Sequence, residues 1–521
     1  LRTLFAGLDV STQGCKFLII DHDNQQVLYT TSVNYDRDLP EYNTHNGVLR
    51  NTPEGVSESN PEMWLDAVNM VFTRAKNDKI PLKDIKCIAV SGQQHGLVSL
   101  DKNDNLTRKR SKLWNDFSTD EECRILTDKA GGKDPMIKEV GNTQRTGYTA
   151  AKIFHMYRHE PENYQQTATF FLVHNYINWY LTGGVKIMEP GDASGMALWN
   201  PKTGDWSAKV INSIDPGLKG KLPPVKPSDQ TIGTISDELV KAFGFSPDCK
   251  IDAGSGDNMY GAIGTGNVKP GIVTISLGTS GTAYTFMEKP YIDPDGEIAA
   301  FCDSTGNYLP LLCVSNMANG YNQLLKNYDL DHQDFIKIID NTKPGNDGRI
   351  LLPWYEGERT PDLPDAAPLY FGFGLDDFNR DKICRAVIEG HVLNIYAGFK
   401  KMPVDLEEIR LTGGLSKSEA WRQMIADIFG AATVPVAGEG AALGAAIHAG
   451  WVWHKENQHV LPIKDFLQPY IKLQEEQRCL PDQENQETYA KLKKLFLALS
   501  RRIRGLEGED VFSIKNQIND S

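Results

Sequence analysis

Thiol chemistry is scarce in this sequence: 8 cysteines lie among 521 residues, at Cys15, Cys87, Cys123, Cys249, Cys302, Cys313, Cys384 and Cys479. None forms a C-x-x-C pair or a cysteine–histidine zinc spacing, which argues against a disulfide scaffold and a zinc module and for reduced thiols. A basic surplus is also missing. Lysine and arginine number 55 against 68 aspartates and glutamates, a formal net charge of −13. Binding a phosphate backbone needs a basic face that releases counterions, so nucleic acid is not an expected partner. No uninterrupted apolar run reaches the ~20 residues that span a bilayer. Residues 1–7 enter a strand pattern directly, without the charged head and apolar run of a signal peptide. A cytoplasmic protein without a membrane partner is expected, and a homodimer is left open.

What is present describes a large α/β protein. A single core stops growing at roughly 250–300 residues, so 521 residues with 40% hydrophobic content and 46 glycines predict two large domains. Residues 4–9 and 17–20 read as strands joined by a Gly/Ser/Thr turn at 11–14, with a further strand over 27–33. Asn60-Pro61-Glu62 supplies an N-cap, a first-turn proline and an acid. Trp64, Val68, Val71, Phe72 and Ala75 follow at helical spacing. Residues 85–92 read as a strand buried on both faces that runs into Gln93-Gln94-His95-Gly96. Ligands in open α/β sheets gather beyond such strand ends.

A second opening echoes the first. Asp9-Val10-Ser11-Thr12-Gln13-Gly14 aligns with Ser276-Leu277-Gly278-Thr279-Ser280-Gly281 at an offset of 267 residues, with Thr and Gly in the same places. The offset predicts a duplicated domain core with a boundary near 262–270. The expected division is 1–265, 266–480 and a C-terminal helical tail, 481–521, in which Tyr489, Leu492, Leu495, Phe496, Leu499 and Ile503 recur at helical spacing.

Four clusters carry candidate chemistry. The hairpin tips, with Thr12, Gln13 and Gly14 in one and Gly278, Thr279, Ser280 and Gly281 in the other, offer backbone N–H groups and hydroxyls to a polyphosphate, or are simply tight turns. Asp9 ends the first strand, where it suits a hydrated Mg²⁺ or caps the hairpin. Lys16, just beyond, either faces the phosphates or is an ordinary strand lysine, and the second reading is preferred. Asp257 opens a small-residue helix after Gly254 and Gly256, as a proton acceptor held by backbone N–H groups or as a plain helix cap. Gly413-Gly414 follows a strand over 409–412, where it admits a flat adenine ring or merely closes a βα loop.

Taken together, Gly7-Leu8-Asp9-Val10-Ser11-Thr12-Gln13-Gly14, Leu113-Trp114-Asn115-Asp116, Gly254-Ser255-Gly256-Asp257-Asn258, residues 276–281, Glu358-Arg359-Thr360-Pro361 and Thr412-Gly413-Gly414 resemble the FGGY carbohydrate kinases. The resemblance implies an α/β fold of two duplicated actin-like (ribonuclease H-like) ATPase domains with a cleft between them. Ser91-Gly92-Gln93-Gln94-His95-Gly96, Arg145-Thr146-Gly147-Tyr148-Thr149-Ala150-Ala151-Lys152, Arg158-His159-Glu160-Pro161-Glu162 and Asp192-Ala193-Ser194-Gly195-Met196 are similar to the xylulokinase branch of that family. This implies ATP-dependent phosphorylation of a small ketose, with Asp257 taking the hydroxyl proton and Asn258, Gln94, His95 and Arg145 at the sugar. It further implies Gly413, Gly414 and Ser418 at the adenosine, Trp354 close by, and Mg²⁺ at Asp9 with Asp257. Gln94 and Ser418 depart from that branch, which often has Met and Asn there. The competing expectations are a relative acting on ribulose, glycerol or gluconate, and a catalytically silent nucleotide-sensing protein. The intact Asp257 and the Gln93-Gln94-His95 cluster argue against the silent protein.

Overall fold

Side chains alternate along a strand, and in Leu4–Val10 that alternation sorts residues between two cores. Leu4, Ala6, Leu8 and Val10 join a core with Trp64, Val68, Val71 and Phe72 of the helix Pro61–Asn77. Asn60 caps this helix by accepting the Glu62 N–H through its side chain, and Pro61 fills the first turn, as the sequence predicts. Phe5 faces the opposite core with Tyr260, Ala442 and Ala446. Asp9 shares the parity of Phe5 and Gly7.

The computed structural model describes residues 2–438, 440–458 and 460–519. The described residues form two compact units, one drawn from 1–269, 286–310 and 438–472, the other from 270–285, 311–437 and 473–521. In the first unit the sheet order is Thr231–Thr234, Lys250–Asp252, Ile85–Gly92, Leu4–Val10, Gly14–Asp21 and Gln26–Asn34. Leu4–Val10 pairs antiparallel with its hairpin partner and parallel with Ile85–Gly92, which sets Asp9 opposite Lys16 on one side and Ser91 on the other.

The returning segment 438–472 contributes the helix Gly440–Glu456, which lies on this strand and on the helix Asp257–Gly264. The approach is close enough to demand glycine. A Cβ on Gly7 would stand 2.1 Å from the Ala442 carbonyl oxygen, and one on Gly444 would stand 1.8 Å from that of Tyr260. Glycine in a helix interior costs about 0.5–1 kcal/mol relative to alanine; here it admits backbone-to-backbone packing behind the strand that carries Asp9.

In the second unit Ile272–Leu277 pairs antiparallel with Gly281–Thr285 and parallel with Glu408–Thr412, which in turn pairs with Ala432–Ala437. Gly281–Thr285 also pairs with residues 311–314. The strand order of the first unit is thus repeated, with Ser276 opposite Thr412 as Asp9 is opposite Ser91. The hairpins differ by one residue. Val10 pairs with Cys15 in the first, whereas Leu277 pairs with Gly281 in the second, so the second turn is shorter.

At the C-terminus, Gln483–Ile503 is the expected helix and buries Tyr489, Leu492, Leu495, Phe496 and Leu499. Ile503 departs from the predicted stripe, at 55% exposed. A further helix, Val511–Asn519, follows; residues 520 and 521 of the expected tail lie outside the described residues. Among the described residues no helix is long and apolar enough to cross a membrane.

Candidate active site

Three acids converge in the first unit. Asp9 accepts a hydrogen bond from Ser91 Oγ at 2.8 Å. Burial holds its carboxyl above the usual range, while Ser91 and the positive charge of Lys16 pull it back. Asp257 begins the helix Asp257–Gly264, and its Oδ1 accepts from the Asn258 backbone N–H at 2.9 Å. Burial, then the charges of Asp9 and Asp192, push it up to about 8. Asp192 is wholly buried, receives the Nδ1–H of His174 at 2.7 Å, and leaves its Oδ1 without a partner among the described residues. Asn175 Nδ2 donates to His174 Nε2 at 2.8 Å, which fixes the proton on Nδ1. Two carboxylates held above their ordinary range, one of them by the charge of the other, form a hard-oxygen set whose repulsion a divalent cation would relieve. Asp9 and Asp257 therefore fit a Mg²⁺.

Beside Asp257 lies an amide cluster. Asn258 Nδ2 donates to Gln94 Oε1 at 2.6 Å and to Asp257 Oδ1 at 3.2 Å. Gln94 is buried, and its Nε2 has no partner among the described residues, an unspent donor of the kind a polar ligand satisfies. His95 stands at φ +67°, in the left-handed region, which costs a residue with a side chain about 1–3 kcal/mol. Its carbonyl accepts from Lys152 Nζ at 2.7 Å, and its ring lies 4.8 Å from that of Tyr148. Lys152 is buried, and desolvation pushes its ammonium down to about 7. Arg145 donates through Nε to Thr143 Oγ1 and through Nη2 to the Gly296 carbonyl, both at 3.0 Å, so much of its fork ties loops together.

The first hairpin tip is more committed than its sequence suggests. Thr12 Oγ1 accepts from Trp114 Nε1 at 2.9 Å and donates to Gln93 Oε1 at 3.2 Å. The Gln13 carbonyl accepts from the Tyr35 N–H at 3.0 Å, and its residue is exposed. A Cβ on Gly14 would stand 2.4 Å from the Val33 carbonyl oxygen, so strand packing alone requires glycine there.

In the second unit the residues expected at a nucleotide gather at the ends of two neighbouring strands. The Gly278 and Thr279 carbonyls accept from the Ala318 and Met317 N–H groups at 3.0 and 3.1 Å. Thr279 is exposed and Ser280 partly so. Gly413 has φ +85°, and a Cβ there would stand 2.5 Å from the Leu277 carbonyl oxygen, next to that loop. Gly414 is exposed to open space, and Ser418 precedes the helix Glu419–Phe429 with a buried hydroxyl that has no partner among the described residues. Trp354, expected close to adenosine, is 0% exposed, and its indole N–H is spent on Asn394 Oδ1 at 3.0 Å. Asn394 in turn donates to Glu358 Oε2 at 3.0 Å, so the tryptophan braces a buried network and has no surface to offer a ligand.

Ser91, Lys16, Lys152 and Asp192 were not singled out from sequence as site residues. The parallel register that sets Ser91 beside Asp9 and the cross-strand position of Lys16 would have found two of them. For Lys152 and Asp192 the only signal was their place in motifs resembling the family.

Residues 4–264 match the N-terminal domain, and residues 273–453 the C-terminal domain, of the FGGY family of carbohydrate kinases. A xylulose kinase of Haemophilus influenzae is 36% identical over 459 residues, which are 86% of this chain and 90% of that protein. In fold, a ligand-bound xylulose kinase from Lactobacillus acidophilus has a TM-score of 0.84 at 24% identity, covering 96% of this chain and 98% of its own. A gluconate kinase from the same organism has a TM-score of 0.85 at 24% identity, with the same coverage.

Proposed function

The chain belongs to the FGGY family of carbohydrate kinases, and from that premise we propose that it phosphorylates the terminal hydroxyl of D-xylulose with ATP, in the cytoplasm, with Asp257 accepting the hydroxyl proton. The observation that carries this reading is the grouping of a proton-hungry carboxylate, pushed up to about 8, with Asn258 and the unspent Nε2 of buried Gln94. Such a grouping holds a hydroxyl through its oxygen and takes its proton. The Haemophilus influenzae relative bears the name xylulose kinase at 36% identity. A gluconate kinase shares the fold, so the choice of sugar rests on that relative and on the residues around Gln94 and His95.

Phosphoryl transfer passes through a loose transition state, so positioning and charge stabilisation do most of the work. Gln94 Nε2 donates to a sugar oxygen, Asn258 holds Asp257 in place, and the His95 and Tyr148 rings border the ketose. Asp257 serves as the general base. Asp9 with Asp257 would hold Mg²⁺, which when bound neutralises phosphate oxygens of ATP. The backbone and hydroxyls of 278–280 grip the phosphates, and Gly413, Gly414 and Ser418 border the adenosine. In this reading Thr12, bonded to Trp114 and Gln93, shapes its hairpin tip while Gln13 and Gly14 present backbone to the phosphates.

The test is an ADP-release assay with D-xylulose, D-ribulose, glycerol and gluconate at equal concentration. The highest kcat/KM is expected with D-xylulose. Preference for another member of the panel would move the chain to a sister activity, and no stimulation by any of them would end the kinase reading.

A further inference from the structure

Apart from these residues, the first unit contains a cavity of about 610 Å³, within the range that takes small organic ligands. Trp199, Trp206, Cys302 and Tyr308 line it; Trp199 and Cys302 form a small apolar cluster with Ala193, against which Tyr308 and Trp206 pack, and Trp206 also packs against a larger core of the same unit. The two indoles meet edge to face, centroids 5.4 Å apart at 89°. Trp199 is 3% exposed, and its indole N–H is turned to the Cys302 thiol.

The charged groups at this wall are unequal. Asp303 is held by the Thr305 and Asn307 N–H groups and the Thr305 hydroxyl. Asp229 pairs with Lys455, and Asp205 accepts the Trp206 N–H at 2.7 Å. Lys219 and Lys226, which also line the cavity, have no carboxylate partner among the described residues. The acids are committed and the cations are not. An aromatic floor with two unspent ammonium groups suits a ligand with a ring face and an anionic group.

Two elements separate the cavity from the candidate active site, and each has a side on both. In the strand Ala299–Cys302, Cys302 faces the cavity while the ring of its neighbour Phe301 lies 6.1 Å from that of His95. In the segment 190–196, Pro190 lines the cavity, whereas Gly195 packs against His95 and Gln94. Glu189 fastens the arrangement. It accepts from the cavity-lining Ser228 Oγ at 2.6 Å, from the Asp192 N–H at 2.6 Å, and from Ser255 Oγ at 3.0 Å, two residues before Asp257.

We propose that this cavity is an effector site for a small organic phosphate with a ring body, its ring on the indoles and its phosphate at Lys219 and Lys226, and that occupancy changes the use of the sugar. The binding claim stands apart from the reaction; the kinetic claim rests on the kinase reading. Calorimetry on the full chain with ribose 5-phosphate, and with ribose and inorganic phosphate as its fragments, separates them. Ribose 5-phosphate is expected to bind at least tenfold more tightly than either fragment. Its affinity is expected to survive Asp257→Asn and to fall at least tenfold in Lys219→Ala/Lys226→Ala, which alters only exposed side chains, and in Trp206→Ala. In the unmodified enzyme it shifts the sugar KM at least twofold, and in the double lysine variant it does not. Absence of binding, equal binding by the lysine variant, inorganic phosphate binding as tightly as the whole molecule, or choline binding instead would overturn the site. Binding without a KM shift would overturn the effector role. Loss of all sugar-stimulated turnover would count against the kinase reading while leaving the calorimetric result intact.

Discussion

Asp9 and Ser276 end matching strands of the two units, one opposite Ser91 and the other opposite Thr412. Past the neighbouring strand, the first unit continues into Gln93, Gln94 and His95, the second into Gly413 and Gly414. The same backbone topology therefore carries acids, amides and an imidazole in one copy and glycines and hydroxyls in the other. Acids and amides suit a sugar and a proton; bare backbone and hydroxyls suit a polyphosphate and a flat base. Duplication supplied the sheet, and strand-end substitutions set the chemistry of each copy.

The sharpest break in this comparison comes from the matched pair itself. Asp9→Asn is expected to lower kcat roughly 10²–10³-fold, whereas Ser276→Ala changes it by less than about threefold; equal losses in steady-state assays would erase the asymmetry. A crossed pair follows. His95→Ala should raise the sugar KM about tenfold and leave the ATP KM alone, and Gly413→Ala, strained at φ +85° and crowded by Leu277, should do the reverse. Effects of both variants on the same substrate would contradict the division.

Asp257 offers a reading through pH. Its carboxyl is held at about 8 against ~3.9 in an unfolded chain, so its contribution to the stability of the free enzyme declines as pH rises from about 4 to about 8. Asp257→Asn removes that slope. Its Tm should exceed that of the parent by a few degrees at pH 8 and match it at pH 4; a gap independent of pH would refute the assignment. The smallest effect is expected from Trp354→Phe, which loses the bond to Asn394 at a cost of about 1–3 kcal/mol. Denaturant unfolding should register it while the ATP KM stays unchanged; a raised KM would return the indole to the nucleotide.

Much of this division was legible in the chain. The repeat between Asp9 and Ser276 could be read because strand–turn–strand units advertise themselves through glycine and threonine at fixed places, and helix Pro61–Asn77 through its cap and spacing. The one-residue difference between the hairpins could not, because register is set by pairing across the sheet. For the same reason Lys16 passed as an ordinary strand residue, although it stands directly across from Asp9. Trp354 follows Leu352-Pro353, where no periodicity separates a buried indole from an exposed one. The support of His95 by Lys152 and the repulsion of Asp257 by Asp192 depend on segments brought together only by the fold, as does the return of Gly440–Glu456 to the first unit.

The central claim is that Asp257 is the base of a sugar kinase whose nucleotide is held elsewhere. D-xylulose-dependent ADP release by Asp257→Asn, measured beside calorimetric ATP affinity, addresses both halves at once. The account predicts a kcat lowered roughly 10²–10⁴-fold with an ATP Kd within about twofold of the parent. Near-normal turnover, or a loss explained by failure to bind ATP, would contradict it.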